Sequence, residues 1–353
     1  MLITLAAPAF AGTWNIEDGN ITVKAGESGN DVTQNNVTTK NDTNTIITNE
    51  NKDIASSHTV TIDAGSDKVE VTLDNVNIKA DSGSALTSKG DVTLTLKGDN
   101  HLTGGNGDTH GGDGITSSGS LTISGGTVTA TGGNSTGSVG SGGSGIYSVS
   151  GDVTISGGVV NAIGGKGSKN NSTSGGSGIC ISSSGSVTIS GGSTVNANGG
   201  NGGTISGGDG IRSLDHVAIS GGTVTANGGD GSSGGDGIRS GDIDLSGSLE
   251  LTAKAGSPNG KALSQDGNEL DLNTIKDKLG PGAKVTTIDA DGKVIQQVPI
   301  PRPVEPEEPV IPGESSSSSD GGSAAPSAPA SPLPGLTVTD KSGAVISYTS
   351  TQS

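Results

Sequence analysis

Five stretches of this chain follow one repeated pattern, and this repetition limits the possible folds more strongly than any other feature of the sequence. Residues 142–165, GGSGIYSVSGDVTISGGVVNAIGG, are a clear copy. The pattern consists of GGxGI, a serine-rich turn, VTISGG, VxA and a closing GG. A repeat of this length indicates stacked units, each of which needs its neighbours to bury its apolar side.

The spacing of the copies predicts where the chain tolerates insertions. The isoleucine of VTI, or a leucine in its place, recurs in steps of 29, 32, 34, 30 and 26 residues, at Leu94, Ile123, Ile155, Ile189, Ile219 and Leu245. The segment between a closing GG and the next GGxGI has five, eight, nine, six and four residues, and without it the unit is 24, 24, 25, 24 and 22 residues long. A constant unit with one variable segment predicts a solenoid with its loops on one edge.

Apolar residues alternate within each unit, as Val153 and Ile155 do, which is the period of a β-strand. A third strand is predicted at GGxGI, so each coil has three strands joined by glycine-rich bends. Parallel strands of successive coils then lie about 4.8 Å apart, and a coil of this size favours the right-handed crossover. The predicted fold class is an all-β, right-handed parallel β-helix of about eight three-sided coils with capped ends.

Composition excludes several other classes of protein. Only 28% of the 353 residues are apolar and 1% are aromatic, which is too little for a conventional layered core. The 64 glycines do not indicate disorder, because valine and isoleucine recur at regular intervals. A net charge of −17 repels nucleic acid phosphates and anionic lipids. We therefore expect no nucleic acid partner and no membrane insertion.

The first part of the chain has the features of a secreted protein. Residues 1–11 are an apolar run ending in Ala-Phe-Ala, which we interpret as the remnant of a signal peptide. This interpretation places the protein outside the cell or on its surface. Residues 12–68 are predicted to form an N-terminal β cap and the first coils, with strands near residues 20–23, 44–48 and 58–63.

The rest of the chain divides by composition. Residues 69–298 are predicted to hold the β-helix and a C-terminal cap, which contains one short helix after residue 270 and a hairpin through residues 289–292. Residues 299–334 are rich in proline and serine and are predicted to be a disordered linker. Residues 335–353 are predicted to be the start of a truncated β segment.

The stretch SGGDGIRS occurs twice, at residues 206–213 and 233–240, and could be taken for a ligand loop. A phosphate-binding P-loop needs a lysine after its second glycine and a following helix, and neither is present. Calcium-binding nonapeptide repeats have a nine-residue tandem period that this chain lacks. We therefore interpret GGxG as a bend whose glycines take unusual dihedral angles.

The residues at the x position of GGxGI are predicted to stack in a column from coil to coil. They are Asp113, Ser144, Ser177, Asp209 and Asp236. Asp209 and Asp236 lie in adjacent coils, where like charges repel unless Arg212 and Arg239 screen them or a cation bridges them. We favour the arginines, because two carboxylates alone seldom complete the coordination of calcium. Asp209 and Asp236 remain the candidate metal ligands, and calcium is the candidate cofactor.

The residue after the inward isoleucine points outward, and this row contains Thr116, Tyr147, Cys180, Arg212 and Arg239. The candidate ligand-binding residues are Thr116, Tyr147, Arg212 and Arg239. The aromatic ring could stack on a sugar, and the guanidinium groups could pair with uronate carboxylates. A solvated sheet surface is the alternative interpretation. We predict no catalytic residue, because no histidine is placed near Cys180 by the repeat.

The GGxGI and VTISGG pattern resembles that of the pectin-lyase-like β-helices, especially the Gly-rich surface proteins of gut Firmicutes. It is also similar to the clostridial carbohydrate-binding β-helix family. The resemblance covers about residues 60–267 and implies polysaccharide binding and calcium. It is specific for the fold and much less so for the ligand.

Two classes of function follow from these observations. The favoured one is a secreted or cell-surface, non-enzymatic, monomeric solenoid that binds a polysaccharide or a host or cell-surface glycan. The alternative is a calcium-dependent polysaccharide lyase of the pectate-lyase type, for which only Asp209, Asp236, Arg212 and Arg239 are available. Loops of four to nine small residues build a poor cleft for catalysis.

Two further functions remain open as remote alternatives. The TVT triplets at residues 127–129 and 223–225 resemble the threonine arrays of ice-binding β-helices, although VVN and ELT copies interrupt the row. Threonine is also common on strands for its propensity alone. The second remote alternative is a passive surface stalk.

Overall fold

Twenty-eight strands and three short 3₁₀ turns make up the part of the chain that the computed structural model describes, residues 11–169 and 171–301. The strands form a parallel β-solenoid of about nine turns, which confirms the all-β, β-helical fold class. Most of the signal-peptide remnant, the linker after residue 301 and the segment at residues 335–353 lie outside the described residues.

The strands fall into three groups along the chain. Those that precede the regular repeats are β1 (Thr13–Asn15), β2 (Ile21–Ala25), β3 (Asn30–Gln34), β4 (Val37–Asp42), β5 (Ile46–Thr48), β6 (Val60–Asp74), β7 (Asn77–Lys79) and β8 (Leu86–Thr103). Those of the repeats are β9 (Ile115–Ser118), β10 (Leu121–Thr131), β11 (Val139–Ser141), β12 (Ile146–Ser148), β13 (Val153–Ile155), β14 (Val159–Ile163), β15 (Ser172–Ser174), β16 (Ile179–Ile181), β17 (Ser186–Ile189), β18 (Thr194–Asn198), β19 (Ile211–Arg212), β20 (His216–Ile219), β21 (Gly222–Asn227), β22 (Ile238–Ser240), β23 (Asp242–Leu245) and β24 (Leu249–Lys254). The C-terminal strands are β25 (Leu263–Gln265), β26 (Asn268–Glu269), β27 (Lys284–Ile288) and β28 (Val294–Pro299).

Each regular coil contributes one strand to each of three parallel faces, as the repeat predicts. The first face contains β9, β12, β16, β19, β22 and β25. The second face runs from the first half of β10 through β13, β17, β20 and β23. The third face runs from the second half of β10 through β14, β18, β21, β24 and β27.

The register of the stack brings equivalent residues of the repeat together. The isoleucines of GGxGI pair from coil to coil and are fully buried: Ile115, Ile146, Ile179, Ile211 and Ile238. The VTI position forms a second buried ladder of Leu94, Ile123, Ile155, Ile189, Ile219 and Leu245. Full burial of each such side chain contributes about 1.5–3 kcal/mol, so the inward ladders hold the solenoid together.

The N-terminal region is only partly a cap. Strands β2, β3 and β4 form an antiparallel meander beside the start of the first face. Strand β5, however, pairs in parallel with both β1 and β6, and β2 pairs in parallel with β6, so these strands belong to the stack itself. The sequence predicts about eight coils because these early coils lack the VTISGG pattern, and the structure has about nine.

The C-terminal end is closed by side chains that replace the missing next coil. The carboxylate of Glu269 accepts hydrogen bonds from the backbone N–H groups of Ala262 (3.1 Å) and Leu263 (3.0 Å). The predicted hairpin is present as β27 and β28. The predicted single helix is wrong, since two 3₁₀ turns, Leu272–Thr274 and Lys276–Lys278, occupy its place.

Glycine pairs on both sides of each variable loop close the coil. The backbone N–H of Gly143, before β12, donates to the carbonyl of Gly133 (2.8 Å), and the N–H of Gly133 donates to the carbonyl of Gly112 (2.7 Å). The same link continues from coil to coil with N···O distances of 2.7–2.9 Å. We call this chain the glycine spine: Gly105, Gly112, Gly133, Gly143, Gly165, Gly176, Gly200, Gly208, Gly229, Gly235 and Gly256.

The spine has no room for a side chain. A Cβ added to Gly200 would lie 2.0 Å from the carbonyl oxygen of Gly165, and one added to Gly133 would lie 2.0 Å from that of Gly105. The glycines of the two SGGDGIRS copies do not have positive φ. The prediction that they take unusual dihedral angles is therefore wrong, because the close approach of neighbouring backbones is what requires glycine.

Gly200→Ala should destabilise the solenoid by about 1–3 kcal/mol, the usual cost of forcing extra atoms into a packed interior. The matched control is Gly157→Ala, where the nearest atom to an added Cβ is 3.9 Å away and the change should stay within about 0.5 kcal/mol. Urea unfolding followed by far-UV circular dichroism measures both. Equal midpoints for the two variants would show that the spine is not under steric constraint.

Candidate functional site

The outward residues of the first face form the row that the repeat predicts. Pairing in the sheet places Tyr147 between Thr116 and Cys180. It also places Arg212 between Cys180 and Arg239. Arg239 is exposed and the other members are half-buried. The structure therefore brings all four predicted ligand-binding residues onto one line parallel to the solenoid axis.

Tyr147 lines a cavity between this row and the protruding loops. Its hydroxyl donates a hydrogen bond to Ser182 Oγ at 2.9 Å. The cavity in front of it has a volume of about 370 Å³ and is also lined by His110, Asp113 and Ser144. The half-buried aromatic ring is thus anchored at its polar end beside an open space.

Thr116 makes two hydrogen bonds within the protein, and its predicted part in ligand binding stays a prediction. Its hydroxyl donates to Asp113 Oδ2 at 2.7 Å and lies 2.7 Å from Ser84 Oγ. The hydroxyl proton is therefore already used within the protein. Thr116 holds the carboxylate of Asp113 in place and has no proton to offer to a ligand.

The aspartates of the x position link successive coils. Asp113 Oδ1 accepts the backbone N–H of Ser144, Asp209 Oδ1 accepts that of Asp236, and Asp236 Oδ1 accepts that of Lys261, each at 2.7 Å. We call Asp113, Asp209 and Asp236 the aspartate column. Because a buried N–H without an acceptor costs about 1–3 kcal/mol, these carboxylates have a structural role whether or not they also bind a ligand.

Burial is the main influence on the pKa of Asp113 and on that of Asp209. It raises the pKa of Asp113 and the pKa of Asp209 above the ordinary value of 3.8. For Asp209, the hydrogen bond from the N–H of Asp236 lowers the pKa, the charge of Asp236 raises it, and the guanidinium groups of Arg212 and Arg239 lower it. The arginines thus partly compensate the buried charge, as the preferred interpretation of the sequence holds.

This compensation acts over a distance, which leaves the arginines available. In residues 11–169 and 171–301, no carboxylate lies within 4.0 Å of either guanidinium group. The Nε atom of Arg212 is buried and has no hydrogen-bond acceptor. A buried donor without a partner needs an explanation such as water or a ligand. Arg212, Arg239, Asp209 and Asp236 line a shared cavity of about 160 Å³.

This part of the surface contains two candidate metal ligands, Asp209 and Asp236, and one thiol, Cys180. Within the described part of the chain, no three or more His, Cys, Asp or Glu side chains form a group that could hold a metal ion. Asp209 and Asp236 each have one carboxylate oxygen engaged by a backbone N–H, so calcium stays a prediction. Burial raises the pKa of Cys180 to about 11, which keeps this thiol protonated near neutral pH.

A second column of polar side chains, which was not predicted from the sequence, lies on the other side of the loops. Asn106 Oδ1 accepts the N–H of Asn134 (2.9 Å), and Asn134 Oδ1 accepts that of Lys166 (2.8 Å). Further along, Asn201 Oδ1 accepts the N–H of Asp230 (3.0 Å), which in turn accepts that of Ser257 (2.9 Å). We call Asn106, Asn134, Asn201 and Asp230 the asparagine column. Its signal in the sequence is an Asn or Asp directly after the closing GG.

Comparisons with other proteins add no assignment. No family model, no curated protein and no solved structure matches this chain. Within the described residues, no helix has the length and apolar character needed to cross a bilayer.

Asp209→Asn should raise the free energy of unfolding at neutral pH. Asparagine keeps an oxygen acceptor for the N–H of Asp236, as Asn106 does for its neighbour, and removes a buried charge. Because folding raises the pKa of Asp209 above 3.8, ionisation costs stability as the pH rises from 3.8 through the folded-state pKa. The advantage of the variant should therefore disappear below pH 3.8. Urea unfolding across this pH range measures it.

The control for this experiment is Asp209→Ala, which removes the acceptor together with the charge. It should lower stability by about 1–3 kcal/mol, because the buried N–H of Asp236 is left without a partner. If Asp209→Asn were less stable than the wild type at neutral pH, the charge rather than the hydrogen bond would be what the fold needs at this position.

Proposed function

We propose that this protein is a non-enzymatic, extracellular or cell-surface solenoid that binds an acidic polysaccharide along its first face. The observation behind the proposal is the pair of stacked arginines, Arg212 and Arg239. They lie in adjacent coils of a chain whose net charge is −17, and neither has a carboxylate within 4.0 Å in the described residues. Cations kept unpaired in an acidic protein favour an anionic ligand.

The spacing of the row suits a linear glycan that lies parallel to the solenoid axis. Adjacent coils are about 4.8 Å apart, which is similar to the length of one sugar unit in an extended chain. A guanidinium group pairs with a carboxylate through two parallel hydrogen bonds. Neighbouring uronate residues could therefore each engage one arginine.

Tyr147 extends the same track. It lies two coils from Arg212, with Cys180 between them, so the separation along the axis is about 10 Å. Aromatic rings pack well against the apolar face of a sugar. A chain of a few sugar units could contact the ring and both guanidinium groups at once. The protruding loops on the other side of the groove would add contacts with the ligand or with a host surface.

The lyase alternative has less support. Asp209 and Asp236 are buried, and one carboxylate oxygen of each accepts a backbone N–H of the next coil. A catalytic calcium ion needs several free oxygen ligands. Ice binding has less support too, because Val159 and Glu250 interrupt the threonine row of the third face.

The test measures binding of the full chain to galacturonate oligomers by calorimetry, with calcium and with a chelator. Arg212→Gln/Arg239→Gln should weaken binding about tenfold or more, because a hydrogen bond to a charged group contributes about 1.5–3 kcal/mol. The matched control is Lys276→Gln/Lys293→Gln, which makes the same change in charge at exposed positions of the C-terminal cap. This control should bind as the wild type does.

Three results would contradict the proposal. Equal affinity of the arginine variant and the wild type would place the ligand elsewhere. Formation of an unsaturated uronate product, measured by its ultraviolet absorbance, would make the protein a lyase. Absence of binding to any acidic or neutral glycan would leave the first face as a solvated surface. Loss of binding in chelator would add calcium to the site without changing its location.

A further inference from the structure

A second groove runs along the opposite side of the protruding loops. It lies where the third face meets the closing glycine pairs, and it has a volume of about 690 Å³. We call it the trough. One wall consists of the last outward residues of the third-face strands, Lys79, Thr103, Thr131 and Ile163. The other wall consists of Asn106, Asn134 and Lys166.

The floor of the trough is rigid backbone. It contains Gly104 and the pairs Gly132–Gly133 and Gly164–Gly165. Gly133 and Gly165 belong to the glycine spine, and hydrogen bonds of 2.7 Å tie them to Gly112 and Gly143. A preformed groove binds a ligand without the entropic cost of ordering its own backbone. Because the floor consists of glycines, no side chain projects from it into the trough.

The asparagine wall offers mainly hydrogen-bond donors. The Oδ1 atoms of Asn106 and Asn134 already accept backbone N–H groups of the next coil. This fixes the amides so that each has its Nδ2 group left over, and neither Nδ2 has a protein partner among the described residues. Each free Nδ2 group carries two N–H donors, whereas each Oδ1 has only its second lone pair left to accept. The wall therefore selects a ligand rich in acceptors.

The two ends of the trough are cationic. Lys79 and Lys166 are exposed, and neither has a carboxylate within 4.0 Å in the described residues. Their coils are three steps apart, or about 14 Å along the axis. Asp81, near one end, is the single carboxylate in the lining. Ile163, which lies in the same coil as Lys166, is 36% exposed and offers an apolar contact at that end.

The asparagine column changes in character along the solenoid. Beyond Lys166, the same column continues with Asn201, then with the acidic Asp230 and then with Ser257. The backbone geometry is the same in both halves, since the spine continues to Gly256. The two halves therefore differ in their side chains, and the acidic Asp230 makes the far half less suited to an anionic ligand.

We propose that the trough is a second binding track, for a linear acidic glycan whose anionic groups are carboxylates or sulfates. The protruding loops separate it from the arginine row, because in each coil the chain passes from the third face through the trough wall and the loop to the first face. One molecule can then hold two glycan chains and cross-link them. The cross-linking rests on the function proposed above, whereas the trough site does not.

The experiment counts binding sites on the full chain. Calorimetry with a short galacturonate oligomer, and separately with a sulfated dextran fragment of similar length, should give two sites per molecule for at least one of these probes. Lys79→Gln/Lys166→Gln should remove one site, and Arg212→Gln/Arg239→Gln should remove the other. The matched control Lys89→Gln/Lys97→Gln changes the charge equally at exposed positions outside the trough and should keep both sites.

A second measurement reads out cross-linking. The wild type should make a solution of long acidic polysaccharide turbid, and either double variant should lose this effect because it keeps one track only. Thermal unfolding confirms that each variant remains folded. If the trough lysine variant keeps both sites, or behaves like the control, or if neither probe finds a second site, the trough proposal is wrong. If the arginine variant keeps all binding while the lysine variant loses a site, the trough stands and the proposed function of the first face fails.

Discussion

The structure depends on one close contact, the crossing of two backbone segments at the glycine spine. Each coil must close on itself before the next begins, and it does so where a closing GG meets an opening GG at hydrogen-bond distance. Nothing larger than hydrogen fits there, since a Cβ on Gly200 would lie 2.0 Å from the carbonyl oxygen of Gly165. Because the coil is closed at this point, the segment between the two pairs can have any length without disturbing the apolar ladders inside.

The same contact explains the polar columns on either side of it. The chain enters the loop beside the asparagine column and leaves it beside the aspartate column. At both places a side-chain oxygen accepts the N–H of the next coil, as Asn106 and Asp209 do. Parallel strands elsewhere satisfy these groups with carbonyls, but the loop interrupts the ladder here. The two candidate binding grooves lie along these columns, so the parts that stabilise the loop edge also shape the surface available to a ligand.

Much of the site was predictable because the repeat is regular. Once the isoleucines of GGxGI are placed in one inward ladder, the next residue must point outward, and Tyr147, Arg212 and Arg239 fall on one line. The hydrogen bonds of Thr116 were not predictable, because the repeat places Thr116 near Asp113 and Ser84 but does not decide which of their polar atoms meet. The first coils were assigned partly to a cap because β1 and β5 join the stack without the VTISGG pattern that marks the later coils.

The sequence by itself determined the fold class, the three strands per coil, the register of the inward ladders and the edge that bears the loops. It could do so because period, spacing and side-chain alternation are local properties that repeat. Only the tertiary structure decided why the glycines are needed, which carboxylate oxygens are already engaged, and that Arg212 and Arg239 lie without an ion-pair partner in the described residues. These facts depend on distances between residues some 25 to 35 positions apart in the chain, and such distances exist only once one coil lies on another.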